Sequence, residues 1–273
     1  MSTESSPPEN PWPTVFETIA GEYDRSGVPW FQPIARGLLD LLEPRPGERF
    51  LELGPGRGAL TLALAEVVGA EGRVDAIDIA PSMVRLLQEE ARGCGLSQVQ
   101  VAVGDASRPE PPAPPYDGIG SSLVIFFLPD PVAALGEWRR LLRPGGRVGV
   151  ATFRPWTGAL EQLLSLVPEY AGEGPSNRGG TPFDTDEGVA GLFGAAGFED
   201  VRTEGRTYQI PFESLEQWRR WSRATALQRL WSESDPARHE EILARVGAIL
   251  DGSRGPDGRM TLEVSIRYTL ARA

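Results

Sequence analysis

The sequence predicts an α/β fold: a seven-stranded, mostly parallel sheet with helices on both faces, plus a helical cap. Three observations predict it. Between residues 45 and 155, short apolar runs alternate with helical periodicity, as strands and crossover helices do in a parallel sheet. Glycine- and proline-rich turns punctuate those runs. In the last third the order changes to helix, strand, two helices and strand, which adds two strands and an inserted helical segment. The 273 residues are 40% hydrophobic and 24% charged, enough for one substantial core.

Residues 1–13 are polar and rich in Ser, Glu and Pro, and read as a disordered tail. They lack the basic and then apolar pattern of a secretory signal, so a cytoplasmic location is expected. Residues 14–44 predict two helices, broken near Ser26-Gly27-Val28-Pro29 and lying over the functional site. The second carries a stripe of Ile34, Leu38, Leu39, Leu41 and Leu42. Residues 45–155 form the sheet core, with strands predicted at 49–53, 73–77, 99–103, 118–124 and 147–153. Helices are predicted at 58–68, 81–92 and 131–142. Pro81 and Pro131 suit a first helical turn, and Asp130 suits an N-cap. Arg143-Pro144-Gly145-Gly146 reads as a helix stop and a turn.

Residues 156–273 complete the sheet. A helix is predicted at 186–196, a strand at 199–210 and a final strand at 260–271. Ser214-Leu-Glu-Gln217 reads as a capping box, and Asp235-Pro236 as a cap followed by a first-turn proline. Helices at 215–231 and 236–250 therefore make a cap, about residues 213–250, which is expected to be mobile.

Scarce residues narrow the chemistry. One cysteine, Cys94, and one histidine, His239, leave no multi-cysteine or two-histidine metal site, so no metal is expected. All 27 basic residues are arginine, which removes lysine-dependent phosphate loops and Schiff bases. A net charge of −11 argues against a nucleic-acid partner. No apolar run is long enough to span a membrane.

The informative stretch is Leu51-Glu-Leu-Gly54-Pro-Gly56-Arg-Gly58-Ala-Leu-Thr61. Glycines directly after a strand let backbone approach a ligand, and the helix behind them offers free N–H groups. Asp78 follows at the end of the second strand, where a carboxylate can accept both hydroxyls of an adenosine ribose. These residues alone leave an NAD-binding reading open, because Gly54, Gly56 and Ala59 also fit the relaxed dinucleotide fingerprint.

Five segments in order carry a closer likeness: Glu52 with Gly54, Gly56 and Gly58; Ala76-Ile-Asp78-Ile-Ala-Pro-Ser-Met83; Val103-Gly-Asp105-Ala106; Tyr116-Asp117; and Leu141-Leu-Arg-Pro-Gly-Gly146. The chain resembles the Rossmann-like class I S-adenosylmethionine-dependent methyltransferases, in the branch of ubiquinone/menaquinone-type and natural-product tailoring enzymes. The likeness covers residues 45–155 and a Tyr23-Asp24 element upstream.

The resemblance implies S-adenosylmethionine as cofactor and a small-molecule acceptor. Gly54, Gly56 and Gly58 would line the methionine part, with Glu52 and Thr61 nearby. Asp78 would bind the ribose, and Ile79 and Met83 would pack on the adenine. Asp105 would accept from the adenine amino group, and the Ala106 backbone would meet the ring edge. Ser122 would face the methionine end, and Tyr23 would close over the cofactor carboxylate.

Related sequences often carry His-His where this chain has Phe126-Phe127, which removes one base and favours an apolar or aromatic acceptor. His239 is the remaining candidate base, although a solvated helix-face histidine is the simpler reading. Trp218 and Trp221 share one helical face and are candidate substrate walls. Two other functions stay open on these residues: a protein that binds the cofactor yet catalyses a non-methylating reaction, and an NAD-dependent oxidoreductase. A homodimer is one option for the assembly.

Overall fold

A computed structural model describes residues 11–172, 180–255 and 257–273. It contains one seven-stranded sheet in the order β3-β2-β1-β4-β5-β7-β6. The strands are β1 (Arg49–Leu53), β2 (Arg73–Asp78), β3 (Val99–Val103), β4 (Tyr116–Ser122), β5 (Leu142–Phe153), β6 (Glu199–Phe212) and β7 (Met260–Arg272). β1 to β5 pair in parallel, whereas β7 runs antiparallel between β5 and β6. The strand order reverses at β1, so a crevice opens beyond its carboxyl end between β2 and β4.

Two apolar layers sandwich the sheet. On one face α2 (Phe31–Leu42), α3 (Thr61–Val68) and α6 (Gly158–Ala171) bury Leu38, Leu64 and Leu163 against Phe50, Val74 and Ile266. α4 (Pro81–Gly93) adds Val84 and Leu87 over Ala76 and Val101. On the other face α5 (Pro131–Leu141) and α7 (Asp186–Ala195) bury Leu135, Trp138 and Phe193 against Leu51, Ile119 and Val148. Gly37 lets α2 sit directly over β6 and β7: a Cβ there would strike the hydroxyls of Tyr208 and Tyr268. Those hydroxyls are bonded to each other at 2.6 Å, and Tyr268 donates to the Ile34 carbonyl at 2.9 Å.

The predicted strands stand, with small shifts at their ends. β5 begins at Leu142, because the predicted Arg143–Gly146 turn is a register irregularity within the strand. α6 has no counterpart in the sequence reading. Pro168 lies inside it and masks a Leu160, Leu163, Leu166 stripe that is buried on the core. At the N-terminus, residues 1–10 lie outside the described residues. Trp12 and Pro13, assigned to the tail, instead open α1 (Trp12–Ile19). Proline is compatible with a first helical turn, and Trp12 has an aromatic partner in Phe127.

The cap is inserted between β6 and β7 as α8 (Leu215–Arg223), α9 (Arg229–Ser232) and α10 (His239–Asp251). Ser214 accepts from the Gln217 amide at 3.1 Å, while the Gln217 side chain reaches back to the Glu213 amide at 2.8 Å. The single helix predicted over 215–231 breaks after Arg223, where Thr225 caps the next turn by accepting at its hydroxyl from the Leu227 amide at 3.3 Å. Trp218, Trp221, Leu230, Ile242 and Val246 join the same apolar cluster as α2 and α6. The cap is thus continuous with the main core.

Candidate active site

The crevice at the end of β1 is lined by Tyr23, Gly54, Gly56, Asp78, Ile79, Met83, Asp105, Ala106, Ser122 and Phe127, all singled out in the sequence. Trp12, Phe16, Ile77, Leu123, Val124, Leu128 and Pro129 complete it.

Its floor is the turn from β1 into α3. Gly54 and Gly56 have φ of +73° and +53°, the left-handed region that favours glycine. A Cβ on Gly54 would strike Val124, and one on Gly56 would lie 3.2 Å from the Tyr23 ring. These two glycines keep the cradle open where side chains would fill it. Gly58 serves packing instead: a Cβ there would strike Leu87 of α4, and the residue does not line the crevice.

Asp78 stands at the end of β2 with its carboxylate buried. One oxygen accepts from the Gly56 amide and the other from the Ala80 amide, each at 3.0 Å. Burial raises its pKa, and backbone bonds from Ala80, Gly56 and Ile79 oppose the rise. Asp105 accepts from the Ser107 amide at 2.8 Å, and the Ala106 carbonyl accepts from the buried indole of Trp138 at 2.7 Å. α5 thereby holds the turn after β3 in place.

At the other end Tyr23 stacks on Phe31 with ring centres 4.6 Å apart. Burial drives its phenol far above the ordinary range, so it stays neutral. Leu123, just after Ser122, has φ of +62°, strained for a branched side chain. Its amide donates to the Ala151 carbonyl at 3.0 Å, which turns the chain so that Leu123 and Val124 face the crevice. The mouth is aromatic: Trp12 packs on Phe127 at 4.4 Å, Phe16 meets Phe127 edge-on at 5.5 Å, and Phe126 meets Phe127 at 4.6 Å.

Several expected residues lie elsewhere. Glu52 is buried behind the glycine turn, where it accepts from the Thr61 hydroxyl, and neither side chain lines the crevice. Burial pushes the Glu52 carboxyl up to about 8, against the Thr61 hydrogen bond. Phe126 adjoins the crevice without lining it. Trp218 and Trp221 are core residues, not crevice walls, because their helical face turns inward: Trp221 packs on Trp30 and Phe212, and Trp218 on Trp221 and Trp231. His239 bonds to Ser234 at 3.2 Å and meets the Trp231 ring edge-on, also outside the crevice.

Of the lining residues that the sequence reading missed, Trp12 and Phe16 had a signal, an aromatic pair at helical spacing. Leu123 and Val124 had none, since their role depends on a backbone turn.

The arrangement fits a nucleoside with an amino-acid tail. The buried Asp78 carboxylate, the exposed Asp105 and a closely approaching backbone lie at one end, and apolar rings at the other. Such a site can hold donor and acceptor in line with water excluded, which is the main demand of methyl transfer from a sulfonium.

Comparisons with known proteins agree. Residues 50–146 match a family described as a methyltransferase domain. The nocamycin O-methyltransferase of Saccharothrix syringae is 34% identical over 272 residues, covering 94% of this chain and 97% of that protein. The aklanonic acid methyltransferase DauC of a Streptomyces species is 43% identical over 159 residues, 57% of this chain and 72% of that one. Among solved structures, the YcgJ protein of Bacillus subtilis shares the fold at a TM-score of 0.58 and 15% identity, covering 88% of this chain and 97% of its own. The chain belongs to the class I S-adenosylmethionine-dependent methyltransferases. It is a methyltransferase that uses S-adenosylmethionine to methylate a small molecule. When bound, that cofactor supplies an activated methyl group.

Proposed function

We propose that this enzyme methylates an oxygen atom of a natural product with an aromatic or apolar body. The observation that carries the reading is the union, in one crevice, of Asp78, Asp105 and the glycine turn with the rings of Trp12, Phe16 and Phe127. The names of the nocamycin and aklanonic acid enzymes support the acceptor class.

In this reading Asp78 receives the ribose hydroxyls, while Ile79, Met83, Asp105 and the Ala106 backbone frame the adenine. Gly54, Gly56, Ser122 and Tyr23 enclose the methionine portion. Glu52 and Thr61 act from behind, by supporting the glycine turn rather than by touching the ligand. The net charge of −11 favours a small acceptor over a nucleic acid.

The test incubates the protein with methyl-labelled S-adenosylmethionine and candidate polyketide-like acids and phenols. The expected product gains one methyl group on oxygen. Label on carbon or nitrogen, or conversion of an acceptor without label transfer, would refute it.

A further inference from the structure

We propose that Arg267 is a positioning residue for the acceptor site. Through two backbone carbonyls it holds Phe153 and Phe183 against Phe126, and the three rings form a wall that selects a planar aromatic acceptor. The proposal rests on the reading of the crevice as the methyl-transfer site.

Phe126 is joined to the crevice through Phe127, its ring partner. The Phe153 ring lies 5.7 Å from the Phe126 ring, and the Phe183 ring meets Phe126 edge-on at 6.2 Å. All three rings are half-buried, so each keeps some apolar surface open, and Phe127, which Phe126 touches, lines the crevice. Phe153 ends β5, whereas Phe183 belongs to a short turn, Pro182–Asp184, that precedes α7. The two belong to separate segments, and each contacts the Phe126 ring.

What brings them together is on β7. The Arg267 side chain is 1% exposed, and its Nε donates to Asp186 at 2.6 Å. Its Nη1 donates to the Phe183 carbonyl at 2.8 Å and to the Phe153 carbonyl at 3.4 Å. The second oxygen of Asp186 takes the guanidinium of Arg154. Burying a guanidinium is costly unless its donors are matched, and here they are matched by the backbones of the two wall residues. A planar fork can bridge two carbonyls and a carboxylate at once, which a lysine ammonium reproduces poorly. Aromatic rings in edge-on and offset contact favour a flat partner over a puckered one.

The test uses naphthoate and its saturated, puckered counterpart decahydronaphthoate as probes, titrated by calorimetry with S-adenosylhomocysteine at saturation. The readout is the ratio of the two affinities. Wild type is expected to prefer naphthoate by about fivefold or more. Phe183→Ala and Arg267→Lys should each bring that ratio close to one while leaving S-adenosylhomocysteine affinity within about twofold, and Phe183→Trp should keep the preference. Phe183 is half-buried, so its variants remain readable if a change at Arg267 unfolds the protein. Ratios in Phe183→Ala and Arg267→Lys equal to wild type would overturn the proposal, as would naphthoate that does not bind saturably. Failure of S-adenosylhomocysteine to bind at all would instead overturn the underlying assignment of the crevice, and the wall with it.

Discussion

The Gly56 amide donates to the Asp78 carboxylate at 3.0 Å, which ties the glycine turn after β1 to the end of β2. One side chain thus does two jobs: it presents a buried carboxylate to the crevice and fixes the loop that forms the crevice floor. The second Asp78 oxygen, held by Ala80, anchors the start of α4 in the same way.

Asp78→Ala should therefore weaken S-adenosylhomocysteine binding by more than about tenfold, since it removes the proposed ribose partner and frees the Gly56 amide. Calorimetry on wild type and variant checks this, and equal affinities would remove the assignment.

Gly54→Ala should destabilise the fold by about 1–3 kcal/mol, because alanine is strained at positive φ. The new methyl would also strike Val124. Combining it with Val124→Ala should recover part of the loss, leaving the backbone strain. Denaturant midpoints of the single and double variants measure both parts; full recovery would show that φ costs nothing here.

Trp138→Phe should cost about 1–3 kcal/mol by leaving the Ala106 carbonyl without its indole donor. It should also weaken cofactor binding, because the turn at Asp105 and Ala106 borders the crevice. A variant that loses stability but binds the cofactor as well as wild type would separate α5 from the site.

The pH dependence of the ligand-free protein carries a signature of Glu52. Its carboxyl sits at about 8 in the fold against 4.5 for an ordinary glutamate. The folded state then binds the extra proton between those values. Stability from this group is fully present below about 4.5, falls as pH rises, and is lost above about 8. Glu52→Gln should flatten this part of the curve. The difference in unfolding free energy between wild type and variant, followed from pH 5 to pH 8, tests it; a constant difference would refute the shift.

Much of this protein was legible in its residue order. The alternation of apolar runs and helical patterns determined seven strands, and β1 and β3 match their predicted limits because each is a short, isolated apolar run. Glycines at 54 and 56, with Asp78 and Asp105 near strand ends, marked the crevice that we propose holds the cofactor. Only the tertiary structure decided the rest. Trp12, placed by sequence in a tail, became part of the mouth through Phe127, a partner more than a hundred residues away. Trp218 and Trp221 carry the pattern of a lid but are buried in the core, because periodicity reveals which side of a helix is apolar and not what covers it. Arg267 had no motif at all. Its place depends on carbonyls from two separate segments and on Asp186, groups that only the folded chain brings together.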